Sequence, residues 1–413
     1  MNQKNGGFFK RMLLLFSIIG PGLITGIADD DATGIATYAS VGASYGYRML
    51  WGLFLITISL IIVQEMAARM GAVTGKGLSA LIRENFGVKM TLFAMLTLLI
   101  TNLAITVADF AGAAASLEIL NVPKYISVPL IALLVWMVIL RGSYRKAERF
   151  FLILSLVMVS YIITAFLVKP DWGEVIRSTF VPSFSFDRDF VMMFIAMVGT
   201  TITPWMQFYH QASVVDKGID VKHYEYEKMD VVIGSLVSNV LAFFIIVTTA
   251  ATLNKAGITI DMAEDAAAAL RPLAGNYAST LFAIGLFGAS LIAAHIVPLS
   301  TAYAITEAFG FENGLDKTFK EAPVFYGIIL FFIILGSLVI FLPSSVFIQL
   351  IIISQVVTGI LTPIILIYMI VLTNKKEVMG EYVNGRIFNA VAWVTVGFII
   401  LLTVILTLSP LIG

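Results

Sequence analysis

Eleven stretches of about 20 mostly apolar residues run through this chain, each long enough to cross a roughly 30 Å hydrocarbon core as a helix. They cover approximately 12–42, 47–68, 88–118, 126–140, 149–168, 188–213, 229–252, 277–308, 323–343, 345–372 and 387–411. Inside lipid a spanning backbone must satisfy its own N–H and C=O groups, so segments of this length and periodicity are read as helices. The expected fold class is an all-α membrane protein with eleven transmembrane helices. Composition agrees, with 59% of the 413 residues apolar and 13% charged, where soluble domains carry about 45–50% and about 25%. No polar linker or low-complexity run divides the chain, so a single transmembrane domain over 1–413 is expected. The opening "KRMLLLFSIIG" has the look of a signal peptide, but no small-residue cleavage site follows and the apolar span continues. With no cysteine, neither a disulfide framework nor a thiolate metal site is available. A net charge of zero gives no reason to expect nucleic acid as a partner.

Lys and Arg in the loops set the orientation. Of the 26, all but Arg48, Lys124, Lys169, Arg177, Arg188, Lys255 and Arg271 fall on the same side as the N-terminus. The chain is therefore expected in the cell membrane with its N-terminus cytoplasmic and its C-terminus outside.

Two spans cannot be continuous helices. The first reads "GPG" at 20–22, then Asp29, Asp30, Asp31 and Gly34; the sixth has Gly199, a run of Thr and Pro204 at its centre. Two Pro/Gly-interrupted spans, each opening a group of five, are the pattern of an inverted-repeat transporter with its substrate near the midplane. The repeats would cover about 12–170 and 188–372, with an extra helix at 387–411. Three carboxylates in the first span would cost roughly 8–10 kcal/mol if left dry and unpaired, and a bound cation removes that cost. An exposed acidic turn between two short interfacial helices is the plainer alternative. It would leave 12–42 as two pieces too short to span.

At these residues the chain resembles the Nramp family of divalent-metal transporters. "GPGLITGIADDDATGIATYASVGASYGYRMLW" (20–51) resembles the family's first-helix stretch with Asp-Pro-Gly-Asn, and "GTTITPWMQFYHQ" (199–211) the sixth-helix stretch built on Met-Pro-His. "SQVVTGILTP" (354–363) and "KEVMGEYVNG" (376–385) resemble the tenth helix and the loop after it. The resemblance implies a five-plus-five inverted-repeat fold with broken helices 1 and 6 and an eleventh helix. It places Asp31 on the family's metal-binding aspartate, Gly34 on its ligand asparagine, Thr200 where a backbone carbonyl ligates, Thr203 on its methionine and Gln355 on a tenth-helix glutamine. Losing the thioether leaves only oxygen donors, which suit hard Mg²⁺, Ca²⁺ or Mn²⁺. Mg²⁺ keeps several of its waters and needs few carboxylates, and the smaller Gly34 and Thr203 make room for them. Asp30, with Asp29 beside it, would then act through the water shell; the three aspartates stay unranked as direct or water-mediated ligands. The pattern is most like the Nramp-related magnesium transporter branch.

The family's proton machinery is altered. Trp205 stands in place of a histidine, Thr106 and Asp109 in place of an aspartate and a glutamate, and the ninth span holds no arginine. Asp109 is then either a remnant of a proton route or a carboxylate hydrogen-bonded to a nearby Thr or Asn. His210 and His295 are read as packing histidines, Glu65 and Arg69 as a local i,i+4 pair, and "GAVTGKG" (71–77) as a cytoplasmic turn because its spacing is wrong for a phosphate loop. The expected function is secondary import of hydrated Mg²⁺, with Mn²⁺ as possible cargo and no proton coupling, by a monomer that uses no cofactor. The competing reading is a proton-coupled Mn²⁺/Fe²⁺ symporter. A membrane metallohydrolase lacks its His-Glu-x-x-His or Gly-x-Ser-x-Gly motif, and a channel would differ from a carrier by not saturating.

Overall fold

The computed structural model describes residues 31–140, 154, 156–315 and 317–412. Regular structure among them is helical: α1 (Ala32–Tyr45), α2 (Leu50–Thr74), α3 (Leu78–Ile119), α4 (Lys124–Leu140), α5 (Ser160–Val168), α6 (Trp172–Phe180), α7 (Arg188–Thr201), α8 (Pro204–Asp216), α9 (Tyr224–Thr249), α10 (Ala278–Phe309), α11 (Pro323–Ser337), α12 (Phe347–Asn374) and α13 (Arg386–Ile412), joined by shorter turns. Eight helical stretches among the described residues are long and apolar enough to span, and Lys124–Leu140 and Val157–Val168 are shorter apolar pieces. With α1 as the described part of the first span, the order expected from hydropathy is reproduced. Gly20, Pro21, Gly22, Asp29, Asp30 and the basic stretch 141–149 lie outside the described residues.

The third span departs from expectation at its start. Hydropathy places it at 88–118, whereas the helix runs back to Leu78 across Gly87, whose φ of 74° breaks the ladder. Only glycine takes that conformation at little cost, so the polar segment before Gly87 is a separate helical piece leading into the span. Between the fifth and sixth spans, Asp171 caps α6 by accepting from Gly173 N (2.9 Å) and Glu174 N (3.2 Å), and one edge of this short helix buries Val175 while Ile176 and Phe180 are exposed.

One apolar core runs through the bundle, with a small second cluster around Ala68, Val214 and Tyr224. α10 sits in its middle: every residue from Gly288 to Ala302 is buried. α13 lies at the edge, and its Val394 and Leu401 are exposed, as lipid-facing residues are. Close helix contacts rest on glycines, in the small-residue manner of membrane helices. A Cβ on Gly42 would sit 2.0 Å from Thr249 Oγ1, and one on Gly112 2.5 Å from the Ala32 Cβ.

The expected Glu65–Arg69 pair forms at 3.2 Å and belongs to a larger buried network. Arg69 also donates to the Tyr382 carbonyl (2.8 Å) and to Asn384 Oδ1, and its guanidinium lies 5.6 Å from the centre of the Phe388 ring. Tyr224 donates its hydroxyl to Glu65. α2 is thereby tied to α9 and to the loop before α13. "GAVTGKG" is the end of α2, closed by Gly75 in the left-handed conformation. Gly77 N and the Ser79 hydroxyl then donate to Glu307 at the end of α10.

Candidate metal site

α1 begins one residue after Asp31. Asp31 has extended backbone angles (φ −75°, ψ −173°) and caps the helix. Its Oδ1 accepts from Thr33 N (2.7 Å), Thr33 Oγ1 (2.5 Å) and Gly34 N (2.9 Å). Such a cap holds a carboxylate where the helix dipole favours negative charge. Among the described residues all three bonds go to Oδ1. The side chain is 4% exposed.

The sixth span breaks between α7 and α8. α7 ends at Thr201, and Ile202 (φ −119°, ψ 72°) and Thr203 (φ −81°, ψ 140°) are non-helical. Pro204 causes this: its ring disfavours helical angles at the residue before it, while Pro itself fits the first position of the next helix. The break frees backbone carbonyls at the ends of α7, a place where an ion can be ligated inside protein. Thr200 and Thr203 flank it, and both hydroxyl oxygens are buried without a hydrogen-bond partner.

α12 supplies the third wall. α7 and α12 cross backbone to backbone, since a Cβ on Gly199 would meet the Gln355 carbonyl at 2.1 Å and one on Gly359 would meet the Ile195 carbonyl at 2.4 Å. Thr362 donates to the Ile202 carbonyl at 3.1 Å. Gln355 gives its amide N–H to Ser354 Oγ (3.2 Å), and its Oε1 is buried without a partner. α1 is tied to α7 by Tyr38 and Thr201, whose hydroxyls lie 2.8 Å apart.

Of the residues singled out by sequence, Asp31, Gly34, Thr200, Thr203 and Gln355 thus fall on the three elements that pack around the break. Gly34 contributes a backbone N–H to Asp31 and no side chain. Asp30 lies outside the described residues. Sequence reasoning missed Tyr38, Gln207 and Thr362. Gln207, one turn after Thr203, has a buried, unpartnered Oε1. Helical spacing carried the signal: Tyr38 is seven residues from Asp31, Thr362 seven from Gln355 and Gln207 four from Thr203, each on the same face as its neighbour.

Among the described residues, the candidate donors at the break are hydroxyl, amide and carbonyl oxygens with the Asp31 carboxylate. Among the described residues no three His, Asp or Glu side chains gather as a metal cluster. Trp205 is buried; its carbonyl accepts from Ser300 Oγ at 3.1 Å and its indole cannot titrate. His210 Nε2 lies 3.4 Å from Glu227, and His295 Nδ1 bonds the Leu291 carbonyl at 2.6 Å. Asp109 differs from the hydrogen-bonded alternative: Thr106 donates instead to the Asn102 carbonyl (2.8 Å) and Asn102 to Thr301 (2.7 Å).

The profile of one family, described as Nramp, natural resistance-associated macrophage protein-like, matches residues 22–409. The divalent metal cation transporter MntH of Bacillus subtilis (strain 168) is 27% identical over 402 residues, covering 95% of this chain and 92% of its own. The transporter of the same name from Clostridium acetobutylicum is 25% identical over 409 residues, covering 95% and 90%. Among solved structures, a manganese transporter of Eremococcus coleocola is similar at a TM-score of 0.74 and 18% identity, over 93% of this chain and 84% of that one. Mhp1, a nucleobase-cation-symport-1 family transporter, is similar at 0.58 and 16%, over 94% and 91%. At these identities the structural likeness concerns the fold.

Proposed function

This chain belongs to the Nramp family, and from that premise we propose that it is a secondary carrier selecting hydrated Mg²⁺, with Mn²⁺ as a second cargo, and moving it without protons. That it is a multi-pass divalent-metal transporter, with the metal as cargo and not as cofactor, follows from the family and from the MntH relatives. The finer claim rests on one observation. Beside the sixth-span break the described groups include the Thr200 and Thr203 hydroxyls and Gln355 Oε1, all buried without a hydrogen-bond partner, with the Asp31 carboxylate at the start of α1, and the resemblance places Thr203 on the family's methionine. Oxygen donors favour hard cations, and one or two carboxylates among neutral oxygens suit an ion that keeps several of its waters.

Alternating access would rock the first and sixth spans against the rest about this site, inward from the side opposite the N-terminus. Trp205 beside the break gives no titratable group to carry a proton. Competitive calorimetry on the purified protein tests the selectivity: Mg²⁺ should bind in the presence of equimolar Mn²⁺, and Cd²⁺ should gain no advantage. Complete displacement of Mg²⁺ by Mn²⁺ or Cd²⁺ would refute it. The second reading, a proton-coupled Mn²⁺/Fe²⁺ symporter, draws support from the likeness to the E. coleocola manganese transporter and from the buried Asp109.

A further inference from the structure

Asp109, in the middle of α3, is fully buried, and neither of its carboxylate oxygens has a hydrogen-bond partner. A buried carboxylate is ordinarily paired or hydrogen-bonded, because leaving it bare costs several kcal/mol. The polar side chains nearest in sequence on its helix are committed elsewhere, Thr106 and Asn102 as described and Thr101 to the Leu98 carbonyl (3.0 Å). Among the described residues, Asp31 is the carboxylate that acts on it through space.

Backbone packing shows why. Gly112, one turn beyond Asp109, lies directly against Ala32 at the start of α1, so close that a Cβ there would sit 2.5 Å from the Ala32 Cβ. Residues three apart share a helix face at roughly 5–6 Å, so Asp109 faces the same end of α1 that Asp31 caps. Two carboxylates aimed at one buried region repel unless a cation lies between them.

We propose that Asp109 is a second ion-binding carboxylate of the transport site, holding the cargo through a water of its hydration shell while Asp31 takes the inner position. The spacing favours the water-mediated role. Gly112 and not Asp109 makes the closest approach to α1, which sets the Asp109 carboxylate back by about one turn. A carboxylate hydrogen-bonded to a metal-held water stands roughly 4 Å from the ion, given metal–oxygen distances of about 2.1 Å and charge-assisted hydrogen bonds of about 2.7 Å. Two carboxylates also balance the charge of a divalent ion, which Asp31 alone does not.

The proposal rests on the transport reading above, and the test separates the two. Full-length protein in proteoliposomes is assayed for Mg²⁺ and Mn²⁺ uptake with a lumenal pH dye, comparing wild type, Asp109→Asn and Asp109→Glu. Asp109→Asn should raise KM about tenfold with Vmax nearly unchanged, and Asp109→Glu, which keeps the charge, should recover most of the affinity. Hexaamminecobalt(III), an exchange-inert mimic of a hydrated cation, should compete with Mg²⁺ in the wild type, and less well in Asp109→Asn. An unchanged KM in Asp109→Asn, or loss of acidification with KM intact, would overturn the proposal and make Asp109 a proton group. Should Asp109→Asn fail to fold, absence of hexaamminecobalt competition in the wild type overturns the water-mediated contact by itself. Wild-type flux of Mn²⁺ without Mg²⁺ would defeat the selectivity reading alone, and a KM shift for Mn²⁺ in Asp109→Asn would still support the second carboxylate.

Discussion

Gly199→Ala is the smallest change expected to disable the site. The added Cβ would lie 2.1 Å from the Gln355 carbonyl oxygen, 2.5 Å from Gly359 N and 2.9 Å from Gly359 Cα. An ordinary carbon–oxygen approach is roughly 3.3–3.6 Å, so α7 and α12 must separate by more than about 1 Å. The obstructing atoms are backbone and cannot rotate away. Overpacking of this kind costs about 1–3 kcal/mol, and it falls on Thr200 and Gln355, the neighbours of the contact. Displacing a positioned group by about 1 Å can lower activity on the order of 10²-fold, so metal uptake into proteoliposomes should fall at least about tenfold. Gly327→Ala and Gly397→Ala, which meet nothing within 4 Å, serve as controls and should transport normally. Wild-type uptake by Gly199→Ala at equal amounts of monodisperse protein would refute the claim that this crossing positions the site.

Other substitutions read other parts of the account. Asp31→Asn keeps a side-chain oxygen able to cap α1 and removes the charge, so expression should persist while metal binding measured by calorimetry disappears; retained binding would remove Asp31 from the site. Thr203→Met restores a thioether and should move the preference toward Mn²⁺ and Cd²⁺ over Mg²⁺, read as a change in the ratio of uptake rates. Arg69→Met leaves Glu65 buried with Tyr224 as its remaining hydrogen-bond partner, and breaking such a pair costs about 3–5 kcal/mol; the yield of folded protein on size exclusion should drop sharply, whereas the exposed pair of Lys76 and Glu84 should tolerate Lys76→Met.

The broken sixth span was legible because Gly199 and Pro204 act locally: proline fixes the angles of Thr203 whatever surrounds it. Spans were legible for a similar reason, since hydropathy is a property of each segment alone. Asp31 stood out by its cost in an apolar run, whereas its capping role emerged only with a helix that starts at Ala32. The α7–α12 crossing was not, because Gly199 and Gly359 are 160 residues apart and only the packed bundle pairs them. Arg69 and Asn384 were hidden in the same way, each an ordinary polar residue until the fold joins them. Gly87 was passed over because the polar residues before it lower hydropathy without ending the helix.

The most direct test of the central claim is ion flux into proteoliposomes under one imposed membrane potential, following Mg²⁺, Mn²⁺ and lumenal pH together. The account predicts saturable Mg²⁺ entry with no acidification beyond that of protein-free vesicles. Mn²⁺ entry accompanied by acidification, with none for Mg²⁺, would contradict it.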